Sequence, residues 1–140
     1  KTKTDGQICR YGMAHYLHND MGPEAHHRDI KTCYSLGIKN TADCDGRTAL
    51  HIVARNDGIE AAMLLKSKGE DVNVKDKHDN TPMHEAIYFE SLKVAEFLID
   101  QKNIDLSIKN ESGNTVLHLA AKQKAFELVA MLIKKFKNLL

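Results

Sequence analysis

Gly46-Arg47-Thr48-Ala49-Leu50-His51-Ile52-Val53-Ala54 returns as Asp79-Asn80-Thr81-Pro82-Met83-His84-Glu85-Ala86-Ile87, and again as Gly113-Asn114-Thr115-Val116-Leu117-His118-Leu119-Ala120-Ala121. The threonines recur after 33 and then 34 residues, and the histidines keep the same spacing. Three registered copies at one period describe a stack of like units, each burying its apolar face against its neighbours. Within a copy, the threonine stands where a helix N-cap accepts a hydrogen bond from an otherwise orphan amide. Pro82 follows at the first helical position, where its missing N–H costs nothing. His51, His84 and His118 sit at the third helical position, from which an imidazole can bond back to the cap and to a neighbouring loop. They lie one per unit, about a unit apart, and so cannot converge on one metal ion or one substrate. Thr48, His51, Thr81, Pro82, His84, Thr115 and His118 are therefore read as a structural motif.

Each copy is followed by a second apolar run: Ile59–Leu65, Leu92–Ile99 and Phe126–Ile133. The dense apolar stripe is that of a helix buried on most of its surface. Lys68-Gly69 is a stop signal for the first of these helices. A period near 33 with a T-P-L-H-x-A core resembles the ankyrin repeat family, over about residues 38 to 137. Asp71-Val72-Asn73-Val74-Lys75-Asp76 and Asp105-Leu106-Ser107-Ile108-Lys109-Asn110 resemble that family's finger segment, and Asn40-Thr41-Ala42-Asp43 is a shorter version. The resemblance implies an all-α ankyrin-repeat solenoid of stacked helix-turn-helix units with β-hairpin-like finger loops. The units would span about 38–69, 70–103 and 104–140.

Two departures from the family pattern carry expectations. Asp57, Glu90 and Lys124 stand at the end of the first helices, where the family uses glycine. A left-handed cap is harder for a side chain than for glycine, so these corners are expected to bend differently or to be stabilised from elsewhere. Glu85 replaces an apolar first-helix residue, which points to an exposed or recruited carboxylate.

Residues 1–37 match the repeat poorly but read as a helical pair, Ile8–His18 and Glu24–Leu36. Asn19-Asp20-Met21-Gly22 is the turn between them and Pro23 opens the second helix. Aligning Leu17 with Leu50 and His18 with His51 makes this a degenerate capping repeat, which would cover the apolar end of the stack. The segment gathers Cys9, Cys33, His15, His18, His26 and His27, yet without a ligand spacing or a cysteine-nucleophile signature.

The 140 residues contain no Trp, four Phe and four Tyr, so large core anchors are scarce. Small side chains such as Ala61, Ala62, Ala95 and Ala130 are expected to fill the space between close-packed helices. Twenty Lys and Arg against 19 Asp and Glu give a net charge of +1, which argues against a nucleic-acid binder. No apolar run approaches the roughly 20 residues of a membrane span. Three cysteines without a CxxC pair suggest free thiols in a reducing cytoplasm. The missing initial Met and the uncapped final helix suggest a piece of a longer protein.

No phosphate loop, HExxH, GxSxG or paired-carboxylate motif occurs, so neither catalysis, cofactor nor metal is expected. The resemblance implies instead a monomeric module that binds another protein through its finger tips and first helices. The positions this assigns are Asp45, Arg47, Arg55, Lys75, Lys77, His78, Asn80, Tyr88, Phe89, Lys109, Glu111, Asn114 and Lys122. Tyr88 and Phe89 are the candidate hot spot, and the lysines favour an acidic protein segment. The alternative is a substrate-recruiting or targeting domain of a larger enzyme, including one that a pathogen delivers to a host cell.

Overall fold

A computed structural model describes residues 13–17, 22–38 and 40–139. Among them a one-turn 3-10 helix, Met13–Tyr16, precedes seven α-helices: α1 (Pro23–Ser35), α2 (Ala49–Arg55), α3 (Ile59–Ser67), α4 (Pro82–Tyr88), α5 (Leu92–Ile99), α6 (Val116–Lys122) and α7 (Phe126–Leu139). The short helices α2, α4 and α6 pack side by side in one layer, and α1, α3, α5 and α7 form a second. Each short helix also packs on the helix that follows it. This is the expected all-α solenoid. Its core is a row of small and aliphatic side chains between the layers, including Ala49, Val53, Ala61, Ala86, Ala95, Leu98 and Leu128, all fully buried.

The fingers are closed turns, and no strand occurs among the described residues. Asp43, Asp76 and Asn110 open them. In each, the side-chain Oδ1 accepts the amides two and four residues on, at 2.8–3.0 Å. The same residues donate their own N–H to the carbonyls of Arg47, Asn80 and Asn114. The finger is thus hairpin-like in path but held by one Asx side chain rather than by a ladder. Lys77 N–H donates to Asp45 O, and Glu111 N–H to His78 O, so adjacent fingers are tied tip to tip. Gly46 has φ +75° and lies where a Cβ would come within 2.9 Å of the Lys77 nitrogen. Both the backbone conformation and the close approach of the next finger require glycine there.

The Thr-x-x-His motif joins one unit to the next. Nδ1 of His51, His84 and His118 accepts the backbone N–H of Thr48, Thr81 and Thr115 at 3.1–3.2 Å. That bond places the ring proton on Nε2. From there His51 donates to Asn80 O at 2.8 Å, and His84 to Asn114 O at 3.0 Å, each in the following finger. Thr81 and Thr115 also accept the amides of His84 and His118. His51 and His84 are buried, and burial lowers both pKa values below the ordinary 6.5, against the opposing pull of the backbone carbonyl. Among the described residues no further finger packs on the equivalent face of the third unit. There His118 is exposed and Leu117 and Leu119 only half-buried, whereas Leu50, Met83, His51 and His84 are buried.

Several expectations are corrected. The corners do not bend differently. Asp57, Glu90 and Lys124 all adopt the left-handed conformation a glycine would, with φ of 55°, 54° and 57°. Each is followed by an amide bonded to a carbonyl five residues back: Gly58 to Val53, Ser91 to Ala86 and Ala125 to Ala120. At Asp57 the side chain adds a contact, because Oδ1 accepts the Val94 N–H at 3.0 Å, in the first turn of α5. That amide is an orphan of the helix start, and an anion there also opposes the helix dipole. Ala130 is exposed, not packed between helices. It shares a register with Met63 and Glu96, which also face outward, while Ala61, Ala62 and Ala95 are buried as expected. Of the first N-terminal helix, the described part is only the 3-10 turn, with Leu17 buried as Leu50 is. Residues 8–12, Cys9 and His18 lie outside the described residues.

The cysteines divide. Cys33 is a free, buried thiol, and burial followed by the charge of Asp29 raises its pKa, which opposes a nucleophilic role. Cys44, exposed on the first finger, is disulfide-bonded.

Two outcomes follow for stability. A left-handed non-glycine residue costs about 1–2 kcal/mol, against about 0.5–1 kcal/mol for the extra freedom of glycine in the unfolded chain. Glu90→Gly and Lys124→Gly should each raise the urea midpoint by the equivalent of about 0.5–1 kcal/mol, whereas Asp57→Gly should gain less or lose stability because the Val94 amide loses its acceptor. Second, His51 and His84 bind protons more weakly folded than unfolded. Stability is then constant from these groups above pH 6.5 and falls as the pH drops from 6.5 toward their lowered folded values. Urea titrations across that window should show a shallower fall in a His51→Gln/His84→Gln chain; an unchanged slope would refute the linkage.

Candidate functional site

The side chains of α2 and α4, with fingers two and three, line a groove of about 370 Å³. It is lined by Arg55 from α2, His84, Glu85, Tyr88 and Phe89 on and just after α4, Asn80, Asn110, Ser112 and Asn114 from the fingers, and Leu119 from α6. Seven-residue first helices decide this layout. They end one after another at the same edge of the stack, so Arg55, Tyr88 and Lys122 fall in register there.

Glu85 is the carboxylate that the sequence marked as out of place. It is not exposed: its side chain is 7% accessible, and Oε1 accepts a hydrogen bond from Arg55 Nε at 2.5 Å. The Arg55 guanidinium also lies over the Phe89 ring, 5.0 Å from its centroid. Phe89 in turn meets Tyr88 edge to face, with centroids 5.0 Å apart and planes at 80°. Tyr88 O accepts from Gln123 Nε2 at 3.0 Å, which ties this end of α4 to α6. Tyr88 and Phe89 remain 58% and 44% exposed. Exposed apolar surface held by ion-pair, cation–π and aromatic contacts is ordered before any ligand arrives.

Five of the sequence-assigned binding residues come together in this groove: Arg55, Asn80, Tyr88, Phe89 and Asn114. Others are engaged with one another on the fingers. Arg47 pairs with Asp45 at 2.5 Å and approaches Asp43 at 3.5 Å, all within finger one. His78 Nδ1 lies 2.9 Å from Glu111 Oε2, linking the tips of fingers two and three, as an ion pair only when His78 is protonated. Lys75, Lys77, Lys109 and Lys122 are exposed. Sequence reasoning did not assign Asn110, His84, Glu85 or Leu119 to the site. Glu85 was detectable, since Ile52 and Leu119 hold its register in the other units. Asn110 was not, because its Oδ1 serves the turn while its Nδ2 reaches Asn80 Oδ1 at 3.1 Å in the previous finger.

Residues 7–110 match the family model for "Ankyrin repeats (3 copies)", and residues 90–133 match that for "Ankyrin repeats (many copies)". Among known proteins the chain is similar to neurogenic locus notch homolog protein 1 of Xenopus laevis, at 37% identity over 62 residues, and to its human counterpart, at 36% over 62 residues. The Drosophila melanogaster neurogenic locus Notch protein is 34% identical over the same length. Each match covers 44% of this chain and 2% of the relative, so the chain spans a small fraction of those proteins.

The Arg55–Glu85 pair is the energetic hinge of the platform. Arg55→Leu leaves a buried carboxylate without its counter-charge and should lower stability at pH 7 by about 3 kcal/mol. Adding Glu85→Leu, which restores the apolar character of the other two units, should recover most of that loss. Chemical denaturation of the single and double variants checks this, and an equally unstable double variant would count against the pairing as the cause.

Proposed function

Since the chain belongs to the ankyrin repeat family, whose members are generally protein–protein interaction modules and typically non-catalytic, we propose that its concave groove is the surface that binds a partner protein. The observation that carries this reading is the Tyr88–Phe89 pair, about half exposed yet fixed by Arg55 and by the α6 contact. Aromatic and Arg side chains in ordered, partly desolvated settings dominate interface energies. Finger residues Lys75, Lys77, His78, Lys109 and Glu111 and the helix-end Lys122 form the rim, with Asp45 and Arg47 at its first-finger end. Such rim charges act mainly on association rate and on the choice of an acidic partner. Residues up to 37 serve as the capping unit of three repeats at about 38–69, 70–103 and 104–140, and the module works as a non-catalytic monomer. Among the described residues no helix is long and apolar enough to cross a membrane.

Affinity capture from cell extract with the 140-residue chain, compared with a Tyr88→Ala/Phe89→Ala chain, tests the surface. Selective loss of the same captured proteins is expected, with unchanged helical circular dichroism. Identical capture by both chains would remove the groove from the binding site.

A further inference from the structure

The residue that follows the opening Asp or Asn of a finger ties that finger to the one before it. In finger two Lys77 N–H donates to Asp45 O of finger one, at 3.0 Å, and in finger three Glu111 N–H donates to His78 O of finger two, at 2.9 Å. In finger one the same register, 33 residues before Lys77, holds Cys44. Cys44 is disulfide-bonded. Where the later fingers have a main-chain hydrogen bond to the preceding unit, the first has a covalent bond.

The partner follows from the cysteine count. The chain has three cysteines, Cys9, Cys33 and Cys44, and Cys33 is a free thiol on α1. That leaves Cys9, which lies outside the described residues. Its register agrees with the pairing. The alignment that sets Leu17 on Leu50 sets Cys9 on Ala42, a finger position of the next unit, and the family match, which begins at residue 7, includes it. Finger one is also tied less on its other side. Asn73 in finger two donates from Nδ2 to Asn103 O at 2.7 Å and accepts the Asp105 N–H at 2.8 Å. Asn40 has that register in finger one, and among the described residues neither its Nδ2 nor its Oδ1, both buried, has a partner.

We propose that a Cys9–Cys44 disulfide is a redox-sensitive tie between the N-terminal unit and the first finger. Oxidised, it closes residues 9–44 into one loop and holds that unit on the first face of the stack. Reduced, it lets the N-terminal unit open while the later units stay stacked, because each unit contacts only its neighbours. The reductant is a dithiol. One of its thiolates attacks the exposed Cys44 sulfur, and the Cys9 sulfur leaves as a thiolate and takes up a proton. The second thiolate of the reductant then displaces the Cys44 thiolate, which is protonated in turn. Two electrons and two protons pass to the chain, and the reductant becomes the disulfide. Cys33 stays out of the exchange: it is 3% accessible, and burial keeps it in the thiol form.

The test uses the 140-residue chain, oxidised with glutathione disulfide and then treated with dithiothreitol. Before reduction, tryptic peptides 4–10 and 40–47 should run as one linked species that separates afterwards. Reduction should lower the urea midpoint by about 1 M. Amide exchange should quicken in residues 13–17 and 22–38 and stay unchanged in residues 79–123. Cys9→Ser and Cys44→Ser should each reproduce the reduced chain in oxidising buffer, whereas Cys33→Ser should respond to dithiothreitol as the unaltered chain does. Peptides 4–10 and 40–47 that stay separate after oxidation overturn the proposal. So does a linked pair whose reduction moves neither the midpoint nor the exchange. Exchange that quickens equally in every unit overturns it too, since the bond would then brace the whole stack rather than tie one unit to it.

Discussion

One hydrogen bond repeated along the stack governs the architecture: an imidazole Nε2–H donated to the main-chain carbonyl of the next finger. It is made by His51 to Asn80 and by His84 to Asn114. Each depends on the bond beneath it, since Nδ1 must accept the threonine amide for the proton to be on Nε2. A single side chain thus caps its own helix, fixes its tautomer and sets the position of the neighbouring unit. Because both histidines are buried, the arrangement favours the neutral ring, and the connection between units is a neutral one. The fingers take their spacing from these bonds and from the tip-to-tip amide contacts. The groove between fingers two and three takes its shape from the same source.

The groove shows how one irregular residue changes the use of a regular scaffold. In the first and third units the register of Glu85 is apolar. Placing a carboxylate there draws Arg55 down onto α4, and Arg55 then holds Phe89 under its guanidinium. A buried pair of this kind adds little net stability compared with apolar packing. What it adds is order at the exposed aromatic rings, at the place where fingers and helix ends converge. Asp57 is a parallel case. It accepts left-handed backbone strain that glycine would avoid, and in exchange its carboxylate caps the helix of the following unit.

Much of the fold was legible in the residues. Thr48, Thr81 and Thr115 with their histidines marked the helix starts, and Pro82 agreed with them. The apolar runs marked the second helices. Which of the two expected outcomes holds at the corners is not legible, because propensity alone weighs the cost of a side chain at positive φ. It does not weigh the bonds from Gly58, Ser91 and Ala125 that close the turn regardless of residue type. Ala130 was misplaced because alanine fits a buried and an exposed face equally well. For the site, the exposure of Tyr88 and Phe89 was anticipated, but the lattice of partners around them was not. Arg55 and Glu85 are 30 residues apart, as are Asn80 and Asn110, and no local pattern couples them.

Periodicity and capping chemistry are local, so the unit, its length and its number of visible copies were written in the chain order of the residues. A 33-residue period places equivalent residues on neighbouring units whatever they are. Which of them then pair, and which stay open to solvent, depends on distances across the stack. Asp45 and Glu111 look alike in sequence as exposed finger acids. Yet Asp45 is bound within its own finger by Arg47, and Glu111 across fingers by His78. Lys75, Lys77, Lys109 and Lys122 differ from them in having no ion-pair partner among the described residues, a difference of a few ångströms that the chain order does not show.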